Sequence, residues 1–201
     1  SKKKYLVAWI DCFSLTKSKI NSILYIGDHS KKNKSNLNKF KFKKEININK
    51  FILRFFSFFL NPFFIKYFNL IKFSFKNKLK KKTSENINSF FYPLDYIRNW
   101  NELYGKNGFV QYQFVIPYES AEKEIKNILL ILKKENLTPY LAVLKNMKKD
   151  KGYISFSLNG ISLALDIPMK PNLKRVINKL NKIVVSNNGK IYLAKDNFLD
   201  Q

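Results

Sequence analysis

Apolar and polar residues recur along this chain with two different periods, and the switches between them mark its elements. Over Phe109–Pro117 (FVQYQFVIP) the period is two. Val110, Tyr112, Phe114 and Ile116 fall on one face of a strand, with Phe109, Gln111, Gln113 and Val115 on the other. Over 119–135 the period lengthens: Ile125, Ile128, Leu129 and Leu132 stand at i, i+3, i+4 and i+7, predicting an amphipathic helix. Glu119 and Glu122 open it and Lys133-Lys134 close it, as the helix dipole favours. Strands are predicted over 140–145, over 153–157 and, after a turn at Asn159-Gly160, over 161–167. Leu173, Val176, Ile177, Leu180 and Val184 predict a second helix from Pro171, ended by Asn187-Asn188-Gly189. A closing strand is expected over 190–194. Nearer the start, 5–12 (YLVAWIDC) and 22–26 (SILYI) read as buried strands, the second stopped by Gly27-Asp28.

Strand, helix, strand, hairpin, helix, strand is the order of an α+β layer, an antiparallel sheet with helices on one face. No glycine-rich strand-to-helix turn accompanies it, so a doubly wound dinucleotide-binding domain is not supported. The chain divides into residues 1–30, a stretch 31–88 and a regular part 89–201. Lys, Asn and Ser dominate 31–50, the aromatic-rich Phe51–Phe75 follows, and 76–88 is polar again. That stretch is expected to be loop, one or two amphipathic helices, then loop.

Lysine and arginine number 38 against 14 acids, giving a formal charge of +24 and a pI near 10.0. Such a balance raises a nucleic-acid- or membrane-binding module as one reading. The basic residues are spread through the chain, however, and Lys, Asn, Ile and Phe are the residues of A/T-rich codons. The charge is therefore read as compositional drift, with no specific nucleic acid as partner. Cys12 is the only cysteine, which excludes an intrachain disulfide and makes a reducing compartment the default. No P-loop and no metal-spaced Cys or His pair occurs, and no metal is expected. His29, the single histidine, sits in an apparent turn and reads as a solvated loop residue. No secretory signal opens the chain, and Phe51–Phe75 is broken by Arg54, Asn61-Pro62, Lys66, Asn69 and Lys72 before it reaches the length of a spanning helix. The start at Ser1 and the stop at Gln201 are read as cut ends.

Gln111 and Gln113 stand side by side in an otherwise apolar strand. They either face water or line a polar ligand, where amides hold hydroxyls or a flavin edge without adding charge. The same holds for the strand 161–167, where Ser162, Ala164 and Asp166 share a face: Asp166 binds a sugar hydroxyl or caps a sheet edge. Lys195, at the end of the Tyr192–Asp196 run, is either a solvated strand-end lysine or a charge set against a flavin. Strict alternation puts it opposite Tyr192, so a bend is needed for both to reach one site. Pattern alone leaves each of these pairs of readings open.

Several runs together resemble one family. Phe90-Phe91-Tyr92-Pro93-Leu94-Asp95, Trp100-Asn101-Glu102-Leu103-Tyr104-Gly105, Gly108 to Pro117, Leu165-Asp166-Ile167-Pro168, Gly189 to Asp196 and Val7 to Cys12 are similar, in order, to the decaprenylphosphoryl-β-D-ribose 2-oxidases, flavoproteins of the vanillyl-alcohol-oxidase type. The resemblance runs from Tyr5 to Asp196 and is loose over 31–88. It implies that 89–201 is a substrate (cap) domain with a flavin-facing sheet, that 1–30 continues from a missing FAD-binding domain, and that the 201-residue piece alone is inactive. It implies FAD as cofactor and oxidation of the 2-hydroxyl of a polyprenyl-phosphate-linked ribose to a ketone, the oxidase half of an epimerase pair in cell-envelope arabinose synthesis. A short-chain reductase would be the partner enzyme, and the setting would be the bacterial cytoplasm or the inner membrane surface, with Phe51–Phe75 either resting on the membrane or packed as a helix on the substrate domain. By position, Lys195 and Tyr192 match catalytic residues at the flavin. Gln113 joins them in cofactor binding, and Gln111, Lys145 and Asp166 match the substrate pocket. Ala164 departs from a branch that carries cysteine there. Aldonolactone or other sugar-alcohol oxidases of the same superfamily are the alternative.

Overall fold

In the computed structural model the described residues are 5–29, 46–50, 52, 62–78, 87–91, 97–104, 108–152 and 155–195. The lysine-rich 31–45, most of the first half of the aromatic segment (51 and 53–61), Tyr92 to Asp95 and Asp196 lie outside them. Two compact units emerge: Val7–Leu24 with Asn107–Gln201, and Ser1–Leu6 with Tyr25–Lys106.

The expected α+β layer is present. Strands β1 (Tyr5–Asp11), β2 (Asn21–Gly27), β5 (Phe109–Pro117), β6 (Leu141–Met147), β7 (Gly160–Pro168) and β8 (Lys190–Ile191) form one sheet in the order β2-β1-β6-β7-β5-β8. The pairings β1–β6, β6–β7, β7–β5 and β5–β8 are all antiparallel. Residues 7–11, set apart in the sequence reading, are thus carried in this sheet beside β6.

Helices α3 (Tyr118–Lys134) and α4 (Leu173–Ser186) pack against one side of the sheet. Val110, Tyr112, Phe114 and Ile116 of β5 point into the same buried cluster as Ile125, Ile128, Leu129 and Leu132 of α3 and Val176, Ile177, Leu180 and Val184 of α4. The period-two and period-3.6 faces read from the sequence therefore meet in one core. Tyr112 is fully buried, and its hydroxyl donates to Asn181 Oδ1 at 2.8 Å, so the phenol is satisfied without leaving the core.

Both helices stop the same way. Asn136 (φ 58°) follows α3 and Asn188 (φ 56°) follows α4, each in the left-handed region that asparagine tolerates better than most residues. Leu137 N–H returns to Leu132 O at 2.8 Å and Asn136 N–H to Lys133 O at 3.2 Å; Gly189 and Asn188 repeat the pair on Val184 and Val185. These are Schellman closures, and Leu137, buried beside Leu132, adds the apolar contact that accompanies them. After α4 it is Asn188, not Gly189, that takes the positive φ.

Two expected strands differ. The closing strand stops at Ile191, because the chain turns over 193–195 and Lys195 N–H donates to Tyr192 O at 3.2 Å. The strand expected over 153–157 does not form across 155–158. There Ser157 N–H bonds Ser155 Oγ at 3.0 Å and Lys190 Nζ donates to Ser155 O at 2.7 Å; Tyr153 lies outside the described residues.

In the other unit, α1 (Pro62–Lys78) is the expected amphipathic helix, followed by the short α2 (Ile87–Phe91) and a parallel pair, β3 (Ile46–Asn47) with β4 (Ile97–Arg98). Phe90 crowds Gly27, where an added Cβ would come within 3.2 Å of its ring.

Candidate functional site

The sheet side away from α3 and α4 collects most of the candidate residues, and the strand register dictates how. Trp9 pairs with Val143, Val143 with Ala164 and Ala164 with Gln113. Tyr192, one residue beyond core-packed Ile191, extends this row through its N–H, which donates to Gln113 O at 2.8 Å. A second row runs Leu141–Asp166–Gln111, and a third Val7–Lys145–Ser162–Val115–Lys190. Cross-strand partners point to the same side and these rows lie two residues apart along each strand, so Gln111, Gln113, Lys145, Asp166 and Tyr192 all belong to a single face.

The polar groups on that face are fixed by one another. Gln111 Nε2 donates to Asp166 Oδ1 at 3.1 Å, directly across the β5–β7 ladder, and Gln113 Nε2 donates to Ser162 Oγ at 3.2 Å. Asp166 is only 4 % exposed and Ser162 2 %, while both glutamines and Lys145 are half-buried. A carboxylate that deep requires hydrogen-bond donors, and the Gln111 amide supplies one. With one N–H of each amide directed along the sheet, its carbonyl and second N–H remain to meet a ligand. Ala164 lies between Val143 and Gln113 and raises no more than a methyl group, leaving the middle of the face low. Phe156 stacks obliquely on Tyr192, ring centroids 4.9 Å apart, and borders the face at its β8 edge.

Lys195 is placed differently. It is exposed in the turn after β8, three residues beyond Tyr192, and is not part of the strand rows. The bend that the alternation required is therefore present, and it carries the lysine off the sheet.

Ser162 and Trp9 were not singled out from the sequence. Ser162 had a legible signal, its shared parity with Ala164 and Asp166. Trp9 had none until β1 was known to pair with β6. Asp11, on the same strand, is 2 % exposed and turns the chain by accepting Phe13 N–H at 3.1 Å. Beside it, burial first and the Asp11 charge second push the Cys12 thiol up, which favours its protonated form. His29 shares a hydrogen bond with Tyr5 OH through Nε2 at 3.0 Å and packs edge-on against its ring, apart from the candidate residues. Among the described residues no three His, Cys, Asp or Glu side chains cluster as a metal site. On the helix side of the sheet an open groove of about 520 Å³, floored by Ile10, Ile20, Ile125 and Leu144, contains none of the candidate residues.

No known protein-family profile matches the chain. Over 113 residues, 56 % of its length, it is 34 % identical to the decaprenylphosphoryl-β-D-ribose oxidase of Mycolicibacterium smegmatis. The matched stretch is 24 % of that protein, so the chain spans about a quarter of the length of the relative it matches. The chain is thus similar, over part of its length, to an oxidase of that type.

Proposed function

We propose that the chain supplies the substrate-side sheet of an FAD-linked oxidase acting on a sugar secondary alcohol, the sugar being a ribose carried on a polyprenyl phosphate. The observation that carries the reading is the single face on which Gln111, Gln113, Lys145, Asp166 and Tyr192 converge. The partial identity to a decaprenylphosphoryl-β-D-ribose oxidase supports the choice of reaction and substrate.

The residues present fit a flavin ring system. A planar heterocycle edged by alternating donors and acceptors suits neutral amides, and the methyl group of Ala164 leaves room for a flat ligand. Gln113 and Tyr192 would hold the ring; bound FAD supplies the hydride acceptor for oxidation of a carbinol. Gln111 and Asp166, locked as a pair, orient sugar hydroxyls by hydrogen bonds, and Lys145 supplies a cation on the same face. Lys195, exposed in the turn after β8, would supply a second cation if the ring lay at the β8 edge beside Tyr192, where a positive charge would stabilise the reduced, anionic form.

The test uses the full-length protein from which the chain comes, purified and assayed by stopped flow for reduction of bound flavin by a polyprenyl-phosphoryl ribose analogue. Lys195→Ala is expected to slow reduction about 10²-fold with flavin still bound, the usual worth of one preorganised charge at a developing anion. Gln113→Ala should slow it less, since it removes a neutral hydrogen bond. A protein that holds no flavin, or a lysine variant reduced at the parental rate, would refute the assignment.

A further inference from the structure

Helix α1 (Pro62–Lys78) exposes an apolar surface that takes no part in the polar face proposed for sugar oxidation. At 100° per residue, Leu70, Phe63, Tyr67, Ile71, Phe75 and Phe68 fill a continuous arc of about 160°. All six are exposed, Phe63 to 76 %, Phe75 to 65 % and Tyr67 and Phe68 to 63 %. The opposite side is the buried one, with Ile65 and Asn69 at 6 % and 5 %. Over 62–75 the only polar residue inside the arc is Ser74. Lys66 and Lys72 stand just outside its two edges, one on each side. So many adjoining aromatics in water on one helix face mark a contact surface rather than scattered surface apolarity.

We infer that α1 lies in the plane of an anionic lipid surface, with the aromatic arc in the acyl boundary and the flanking lysines at the phosphates. An apolar arc bounded by lysines is the pattern of an interfacial helix, the apolar side dipping and the cations remaining at headgroup level. Charge selects the partner. No Asp or Glu occurs between Glu45 and Glu85, and Lys76, Lys78, Lys80, Lys81 and Lys82 follow the arc in sequence. A second copy of a chain with net charge +24 would bring like charge against like charge, whereas anionic headgroups are complementary. No helix among the described residues is long and apolar enough to cross a membrane, so the contact is lateral. This inference does not rest on the oxidase reading.

The 201-residue chain is mixed with vesicles of phosphatidylcholine, with and without phosphatidylglycerol, and sedimented. Binding to the phosphatidylglycerol vesicles is expected. The triple change Phe63→Ser, Phe68→Ser, Phe75→Ser, at exposed positions that leave the far-ultraviolet spectrum unaltered, should lower partition at least about tenfold, given the apolar area removed. Lys66→Gln with Lys72→Gln should weaken binding and flatten its salt dependence. A Phe68→Trp reporter should shift to the blue on vesicles and be quenched by brominated acyl chains. Vesicle binding that the serine variant retains in full would mean that bulk charge alone attracts the chain, and would overturn the inference. So would absence of binding, or a parental dimer that the serine variant dissociates.

Discussion

Replacing Asp166 separates the acceptor role of this side chain from its charge. It is 4 % exposed and accepts Gln111 Nε2 at 3.1 Å. A hydrogen bond to a charged group is worth about 1.5–3 kcal/mol, and removing one partner strands the other according to its burial. Gln111 is half-buried, so water reaches part of its amide and the loss falls near the lower end. Asp166→Ala should therefore cost about 2 kcal/mol, a fall of about 4–8 °C in Tm for a chain of this size. Asp166→Asn keeps an oxygen opposite the Gln111 amide and should cost less than about 1 kcal/mol. Its backbone carbonyl, which accepts Tyr140 N–H at 2.9 Å, is retained in both. Urea and thermal unfolding followed by circular dichroism would measure the pair of variants. Equal destabilisation by alanine and asparagine would show that the charge, not the acceptor, matters. No effect from alanine would show that the pair contributes nothing to the face.

Gly160→Ala should destabilise the chain by about 2–3 kcal/mol in a urea titration, because an added Cβ would lie 2.1 Å from Ile116 O where β7 pairs with β5. Cys12 should resist iodoacetamide in the folded chain and react on unfolding, since burial holds the thiol protonated; rapid native labelling would contradict the buried placement. The Ser155 hydroxyl first, then the Gly152 N–H, hold the Asp150 carboxyl below its ordinary value of 3.8. Its contribution is thus present above that value and lost as pH falls through the depressed one, which carboxyl chemical shifts in an NMR titration would follow.

The residues that were legible in the sequence are those whose environment is set by their own strand or helix. The alternation in FVQYQFVIP fixed which face of β5 enters the core, and the same parity placed Gln111 and Gln113 together on the other. Which neighbours those glutamines meet was not legible, because register is a property of two strands: Asp166 faces Gln111 only through the β5–β7 ladder. The end of the closing strand was not legible for a related reason. Ile-Tyr-Leu-Ala-Lys has the composition of a strand, yet β8 pairs only with β5, and after Tyr192 N–H reaches Gln113 O the backbone turns on itself, Lys195 N–H returning to Tyr192 O. The run 153–157 likewise has strand composition, but at 155–158 serine hydroxyls offer the backbone local partners that compete with a ladder.

The place of β1 in the sheet has a consequence for synthesis. Val7, Ala8 and Trp9 pair with Lys145, Leu144 and Val143, roughly 140 positions later in the chain. At ribosomal rates of about 5–20 residues per second, the edge of β1 that β6 covers waits roughly 7–30 s for that partner to be made, whereas β2 on its other edge follows at once. Residues 109–191 already contain β5 to β8 and both covering helices, so they are able to assemble first and receive β1 last. Until then the apolar run YLVAWIDC presents one unpaired strand edge where β6 will dock, a natural point of engagement for a holding chaperone.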